Sequence, residues 1–161
     1  QVQVPLVSFP MGEAHGHAYD RLPRYFIYGG LVFVPLNLEM LKTYGGDWHA
    51  KAGKEVLYEF LLRPMIQPEL IQQERVVLLR RLKHPVNSDM AFFRNQVLER
   101  VNGKPITCLE DLVETLESHQ GDFHLIEFSN RRRIGVINRQ DADAAHGVIL
   151  ERYGIQKDRN L

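Results

Sequence analysis

Serine nucleophiles are the first catalytic groups to look for in this sequence. None of its serines lies in a Gly-x-Ser-x-Gly motif or beside the glycines that would build an oxyanion loop. The four serines are Ser8, Ser88, Ser118 and Ser129. Local structure accounts for two of them, since Ser118 is at a predicted helix end and Ser129 is beside a predicted hairpin turn. We therefore expect no catalytic residue in this chain.

Metal binding is the second candidate chemistry. His15 and His17 form a His-x-His motif, and Asp20 follows closely. A zinc site needs three or four convergent ligands, and this segment has the composition of a polar loop. We therefore expect no metal and no organic cofactor.

Cys108 is the one cysteine, so an internal disulfide is excluded. A helix is predicted to begin at this residue, where the helix dipole would lower the pKa of a thiol. No histidine is adjacent to it in the sequence. We predict that Cys108 is a buried or half-buried small side chain without a chemical role.

A glycine pair supplies the most specific feature. Gly29-Gly30 interrupts the apolar segment from Tyr25 to Leu36. Glycines before a strand can leave successive N–H groups pointing outward, and such a nest can bind a carboxylate. An extended peptide could then add as an extra strand, with its terminal carboxylate in the nest. The alternative is that the glycines only make a bend and that the protein itself fills the groove.

Composition limits the partners. The chain has 161 residues, with 20 Lys+Arg against 20 Asp+Glu. A nucleic-acid-binding protein usually carries a basic excess, so we expect no nucleic-acid partner. The longest apolar stretch is shorter than the ~20 residues of a membrane-spanning helix, so we expect no membrane span.

The periodicity predicts an α+β fold. Predicted strands include a first one over Gln1–Phe9, then Tyr25–Val34, Val76–Leu82, Val97–Val101, Phe123–Phe128 and Ile134–Ile137. Predicted helices are Leu38–Tyr44, Gly53–Arg63, one after a Thr107/Glu110 capping box, and Asp141–Tyr153. Asn102-Gly103 and Asn130-Arg131 are predicted turns. Because strands and helices do not alternate, we expect a small antiparallel β sandwich or barrel capped by helices.

These elements together resemble a known family. The series from Val97 to Ile137, strand, Asn-Gly turn, strand, helix and hairpin, is similar to the second half of a PDZ domain. Further segments resemble the terminal PDZ-like region of Deg/HtrA-type, or Do-like, serine proteases. They are Asp20–Pro23, Tyr25–Leu36, Tyr44–Trp48, Val76–Leu78 and Ile149–Asp158.

The resemblance implies a peptide-binding site. Its carboxylate loop and groove strand would be formed by Tyr28, Gly29, Gly30, Leu31, Val32 and Phe33, and its helical wall by Leu109, Leu112 and Val113. The implied function is a non-catalytic regulatory module that binds peptide carboxyl ends or unfolded substrate segments. The parent would be a serine endopeptidase that forms a homo-oligomer, in which this module contacts the protease domain and other subunits.

One departure from the family leaves an alternative open. Residues 38–73 form a mostly helical insertion within a predicted PDZ-like domain at 24–161. Residues 1–23 would be the end of a preceding domain plus a linker, in a fragment of a longer protein. The insertion could cover the groove or carry subunit contacts, which would make the chain an oligomerisation module without a free groove. The compartment stays open, and would be extracytoplasmic if the parent carries a signal peptide.

Overall fold

The computed structural model describes residues 21–71, 73–129 and 134–161. In this part of the chain the strands are β1 (Tyr25–Tyr28), β2 (Leu31–Pro35), β3 (Val76–Arg81), β4 (Gln96–Val101), β5 (Lys104–Pro105), β6 (Phe123–Phe128), β7 (Ile134–Asn138) and β8 (Arg159–Asn160). The helices are α1 (Leu38–Lys42), α2 (Trp48–Lys51), α3 (Lys54–Leu57), α4 (Arg63–Ile66), α5 (Leu109–Ser118) and α6 (Arg139–Arg152). A π-helical turn, Tyr58–Leu62, joins α3 to α4.

The strands form one open antiparallel sheet. Their order is β7-β6-β4-β3-β2-β1-β8, and β5 pairs with β4 beside this path. β2 is an interior strand, because it pairs with β1 on one edge and with β3 on the other. The predicted α+β class is confirmed.

One face of the sheet packs against α5. The inward side chains of this helix, Leu109, Leu112, Val113 and Leu116, share a single core with strand residues such as Phe33. Burial of each such side chain stabilises the fold by roughly 1.5–3 kcal/mol. Their i, i+3, i+4, i+7 spacing is the pattern that predicts an amphipathic helix. The apolar side of α5 therefore packs against the sheet and stabilises it.

The helices between β2 and β3 build a second core. Met40, Leu41, Val56 and Phe60 pack there against strand residues such as Val77. Asn37 caps the start of α1, because its side-chain oxygen accepts a hydrogen bond from the Met40 amide at 2.8 Å. The inserted helices thus have an apolar core of their own, separate from the one that contains α5.

Buried ion pairs fasten the inserted helices to the sheet. Glu59 is 5% exposed and accepts a hydrogen bond from Arg63 at 2.9 Å. Arg75 donates to Glu99 of β4 at 3.0 Å. Burial alone would raise the pKa of Glu99, but the hydrogen bonds and positive charges of Arg75 and Arg63 lower it below its usual range. The network therefore favours the ionised form of Glu99 beneath these helices.

The Gly29-Gly30 pair forms the turn between β1 and β2. Both residues are buried and have positive φ, +52° and +82°. The Asn87 amide group donates to the Gly29 carbonyl at 2.7 Å and to the Leu82 carbonyl at 2.9 Å. The turn is therefore enclosed by the protein's own groups, which is the alternative that the sequence left open.

Two local predictions are wrong, and three others concern residues that the structure does not describe. The Thr107/Glu110 capping box is wrong: Cys108 is the N-cap of α5, and its Sγ accepts from the Asp111 amide at 3.5 Å. The dipole-lowered thiol is also wrong, since burial raises the pKa of Cys108. The strand over residues 1–9, the His15/His17 motif and the turn at residues 130–131 lie outside the described residues.

The substitution Gly30→Ala should strongly destabilise the fold. Its Cβ would lie 2.5 Å from Asn87 Nδ2 and 2.8 Å from the Leu82 carbonyl oxygen, at a φ that L-residues rarely adopt. We expect a loss of about 2 kcal/mol or more in the free energy of unfolding, measured by urea titration. Gly147→Ala is the matched control, since Gly147 lies exposed in α6 with no atom within 4 Å of the added Cβ. It should raise stability by about 0.5–1 kcal/mol. Equal effects of the two changes would contradict this account of the turn.

Candidate functional site

The predicted groove residues lie together, but mostly in the core. Leu31, Phe33, Leu109, Leu112 and Val113 are all buried in the core that α5 shares with the sheet. The space between β2 and α5 is therefore filled by their mutual packing. Tyr28 and Val32 are only partly buried.

The expectation that β2 offers an edge for an added strand is wrong. Phe33 pairs with Phe26 of β1 and with Leu78 of β3, so both edges of β2 are already hydrogen-bonded. At the preceding turn, a Cβ on Gly29 would lie 3.0 Å from Ile137 Cδ1, so this turn is closely packed against β7. Peptide binding by this chain stays a prediction, and its place must be sought at another edge.

The outer edge of β1 is the better candidate. α5 and α6 both contact β1, and the chain returns between them as the two-residue strand β8. Tyr25 pairs with Asn160 and Phe26 with Arg159 in antiparallel register. The Ile27 amide donates to the Asp158 carbonyl at 2.7 Å. The edge that an added strand would use is therefore occupied by the chain's own residues 158–160.

Side chains fasten this segment to both flanking helices. The Arg159 guanidinium lies 2.8 Å from a Glu117 carboxylate oxygen on α5 and 5.0 Å from the centroid of the Phe26 ring. Asp158 lies 3.6 Å from His146 of α6. The hydrogen bond from Arg159 lowers the pKa of Asp158. Position 159 thus combines an ion pair with a cation–π contact.

A polar cluster anchors the other end of β1. The Tyr28 hydroxyl donates to Asp143 Oδ1 of α6 at 2.7 Å and lies 3.0 Å from Nε2 of the fully buried His124. The Asn102 amide nitrogen lies 3.0 Å from His124 Nδ1, and the Asn102 oxygen accepts from the Leu125 amide. Burial, followed by the bond to Asp143, raises the pKa of Tyr28.

This cluster fits a neutral histidine. Because the single Tyr28 proton goes to Asp143, the hydroxyl oxygen accepts from His124 Nε2–H, and His124 Nδ1 accepts from Asn102. A second proton on Nδ1 would face the Asn102 amide hydrogens. Burial, reinforced by His119, lowers the pKa of His124 to about 4. The cluster is therefore a structural clamp on β1.

Most of these residues were not predicted from the sequence. Glu117, Arg159 and His124 belong to separate segments, and none lies in a recognisable motif. The sequence does indicate the position of Asn102, because the Asn102-Gly103 turn is predicted from its residue types. The φ values of +50° and +77° confirm this turn. Among the residues that the structure describes, no group of three or more His, Cys, Asp or Glu is placed to hold a metal ion. The described helices are also too short or too polar to span a bilayer.

Comparison with protein families decides the identity of this fold. The family model described as PDZ domain matches residues 14–160. The chain belongs to the PDZ domain family. A PDZ domain is a protein-interaction module, so the coarse function predicted from the sequence is confirmed.

Two relatives of this PDZ domain are Do-like proteases. Protease Do-like 4, mitochondrial, from Arabidopsis thaliana is 27% identical over 140 residues, which are 87% of this chain and 23% of the relative. Protease Do-like 2, chloroplastic, from the same plant is 25% identical over 139 residues, 86% of this chain and 22% of the relative. The predicted resemblance to a PDZ-like region of a Do-like protease is confirmed. The chain spans less than a quarter of the length of these curated relatives.

The clamp should make stability fall in mild acid. Since the pKa of His124 is about 4 in the fold and 6.5 without it, the unfolded chain binds more protons between these values. The free energy of unfolding should therefore decrease as pH falls from 6.5 to 4. In His124→Gln this slope should be shallower, as measured by urea titration across that range.

The control for this prediction is His49→Gln. His49 is exposed on α2, so this substitution should leave the pH slope of the parent chain intact. An unchanged slope in His124→Gln would show that His124 does not couple protonation to folding.

Proposed function

We propose that this chain is a non-catalytic PDZ module of a Do-like serine endopeptidase that binds extended segments of substrate or partner proteins. The proposal adds that an incoming segment binds at the outer edge of β1. The observation that supports this most directly is the covering of that edge by only a two-residue strand between α5 and α6.

Strand addition would supply the affinity. Main-chain hydrogen bonds to an exposed sheet edge are independent of sequence, and flanking side chains then select the partner. Each such bond contributes a net ~0.5–1.5 kcal/mol, so the affinity of a short segment would be modest. This suits a module that must release unfolded substrate.

Internal segments are favoured over carboxyl ends as ligands. The nest predicted at Gly29-Gly30 lies in a turn that is buried, with Asn87 and Leu82 close to Gly30. The β1 edge, in contrast, needs only backbone groups from its ligand. We therefore propose that a free terminal carboxylate is not required.

A titration with paired peptides tests this proposal. Isotope-labelled chain is titrated with an extended peptide that ends in an apolar residue and with its amidated twin. We expect both peptides to shift the amides of Tyr25 to Tyr28 with affinities within about two-fold, because the buried turn holds no carboxylate. Selective shifts at Gly29 to Leu31 with the free-carboxylate peptide would restore the nest hypothesis. The absence of shifts with either peptide would contradict binding at β1.

A second candidate function, oligomerisation, is favoured by one surface. The helix from α3 to α4 exposes an apolar stripe at i, i+3, i+4, i+7 and i+8, formed by Tyr58, Leu61, Leu62, Met65 and Ile66. Met65 and Ile66 are 73% and 68% exposed. The same helix also contributes to the core, since Phe60 is buried there while Leu61 is in the stripe. A contiguous apolar stripe of this kind is typical of an interface.

The double substitution Met65→Glu/Ile66→Glu tests the oligomerisation candidate. If the stripe pairs subunits, the change should lower the association constant at least ten-fold, since each buried apolar side chain contributes ~1.5–3 kcal/mol. Light scattering over a concentration series measures this. Val148→Glu is the control, because Val148 is 59% exposed on α6, outside the stripe. A mass equal to one chain at every concentration, or equal effects of both variants, would contradict the candidate.

A further inference from the structure

We propose that the outer edge of β1 selects segments that carry an arginine, and that residues 157–160 are its resident, displaceable ligand. The inference rests on the proposed function and adds to it the chemistry of the partner and a means of regulation. It starts from Arg159, the residue of β8 that pairs with Phe26.

The subsite has two complementary walls. One is the face of the Phe26 ring, whose centroid lies 5.0 Å from the guanidinium carbon of Arg159. The other is the Glu117 carboxylate of α5, at 2.8 Å from the guanidinium. A planar guanidinium can stack on a ring and donate to a carboxylate at the same time, whereas a lysine ammonium offers only a point charge. An arginine at this position of an added strand therefore fits the subsite best.

The charge of α5 supports a basic partner. Between Leu109 and Ser118 the helix has four acidic residues and no basic one; the acidic residues are Glu110, Asp111, Glu114 and Glu117. Glu110 is paired with Arg24 at the start of β1. Glu117 meets only the arginine of the resident segment among the ion pairs of the described residues. The helix wall of the edge is thus complementary to a cationic segment.

The resident segment is held weakly enough to leave. Its strand has two residues, and the Arg159 and Glu117 side chains are 35% and 55% exposed. An ion pair this exposed contributes little. The backbone attachment adds the Asp158 carbonyl, bound by the Ile27 amide, and the Lys157 carbonyl, bound by the Tyr25 hydroxyl at 3.0 Å. A partner that offers a longer strand with arginine in register can replace all of these contacts.

The test uses the full chain and a labelled peptide with the sequence of residues 155–161. In Arg159→Glu the resident segment should be repelled by Glu117 and expose the edge. We expect this variant to bind the peptide about five- to ten-fold more tightly than the unchanged chain, measured by fluorescence anisotropy. Arg80→Glu is the matched control, because it makes the same charge change at an exposed position of β3, outside the resident segment and the β1 edge, and should leave the affinity as it was.

Arginine selectivity is tested in the Arg159→Glu chain. The peptide with glutamate at the position of Arg159 should bind about five- to ten-fold more weakly than the arginine peptide, because it loses the contact with the Phe26 ring and meets the like charge of Glu117. Adding Glu117→Lys should abolish this preference, whereas adding Glu114→Lys, at an exposed position of the same helix, should preserve it. Because both peptides share one length and backbone, the comparison isolates the subsite.

The outcomes separate this inference from the proposed function. Tighter binding by Arg159→Glu, with the arginine preference lost on Glu117→Lys, supports both. If a peptide shifts the β1 amides but its affinity does not change with substitutions at Arg159 and Glu117, the inference is overturned and the proposed function stands. If the Ile27 amide loses its protection from hydrogen exchange in Arg159→Glu and still no peptide binds, the edge opens without binding, and both are overturned.

Discussion

The pairing of β2 on both of its edges is the constraint on which the rest of the arrangement depends. A strand with two hydrogen-bonded neighbours cannot accept a third, whereas β1 has only the two-residue strand β8 on its outer edge, and we therefore place an added segment there. The turn that joins these strands then becomes an interior feature, enclosed by Asn87 and Leu82. The position of the candidate site follows from this order of strands.

The two faces of the sheet have different tasks in this account. One face carries α5, which together with α6 flanks the β1 edge. The inserted helices have their own core, and their exposed stripe points away from it. Ligand binding at β1 and association through the stripe use different surfaces, so one module can combine both. The helical insertion therefore need not compete with the proposed ligand.

Local sequence patterns predicted most helices, strands and turns, but they did not predict the order of the strands or the contacts between distant side chains. The cap at Asn37 and the Asn102-Gly103 turn depend on neighbouring residues, so the sequence contains all of the information that determines them. Residues that pair between β2 and β3 are 41 or more positions apart in the sequence, as Pro35 and Val76 are, and no local pattern specifies this pairing. The contact of Arg159 with Glu117 was equally hidden, because both residues have the composition of an ordinary solvated surface.

Native-state hydrogen exchange of the unchanged chain tests the central claim most directly. The Ile27 amide donates to the Asp158 carbonyl and reports whether the resident segment leaves β1. We expect this amide to exchange through a local opening, with a free energy several kcal/mol below that of global unfolding. The hydrogen-bonded amides of β2 should exchange only by global unfolding. If Ile27 also exchanged only by global unfolding, residues 157–160 would be a permanent part of the sheet, and β1 would offer no edge to a partner.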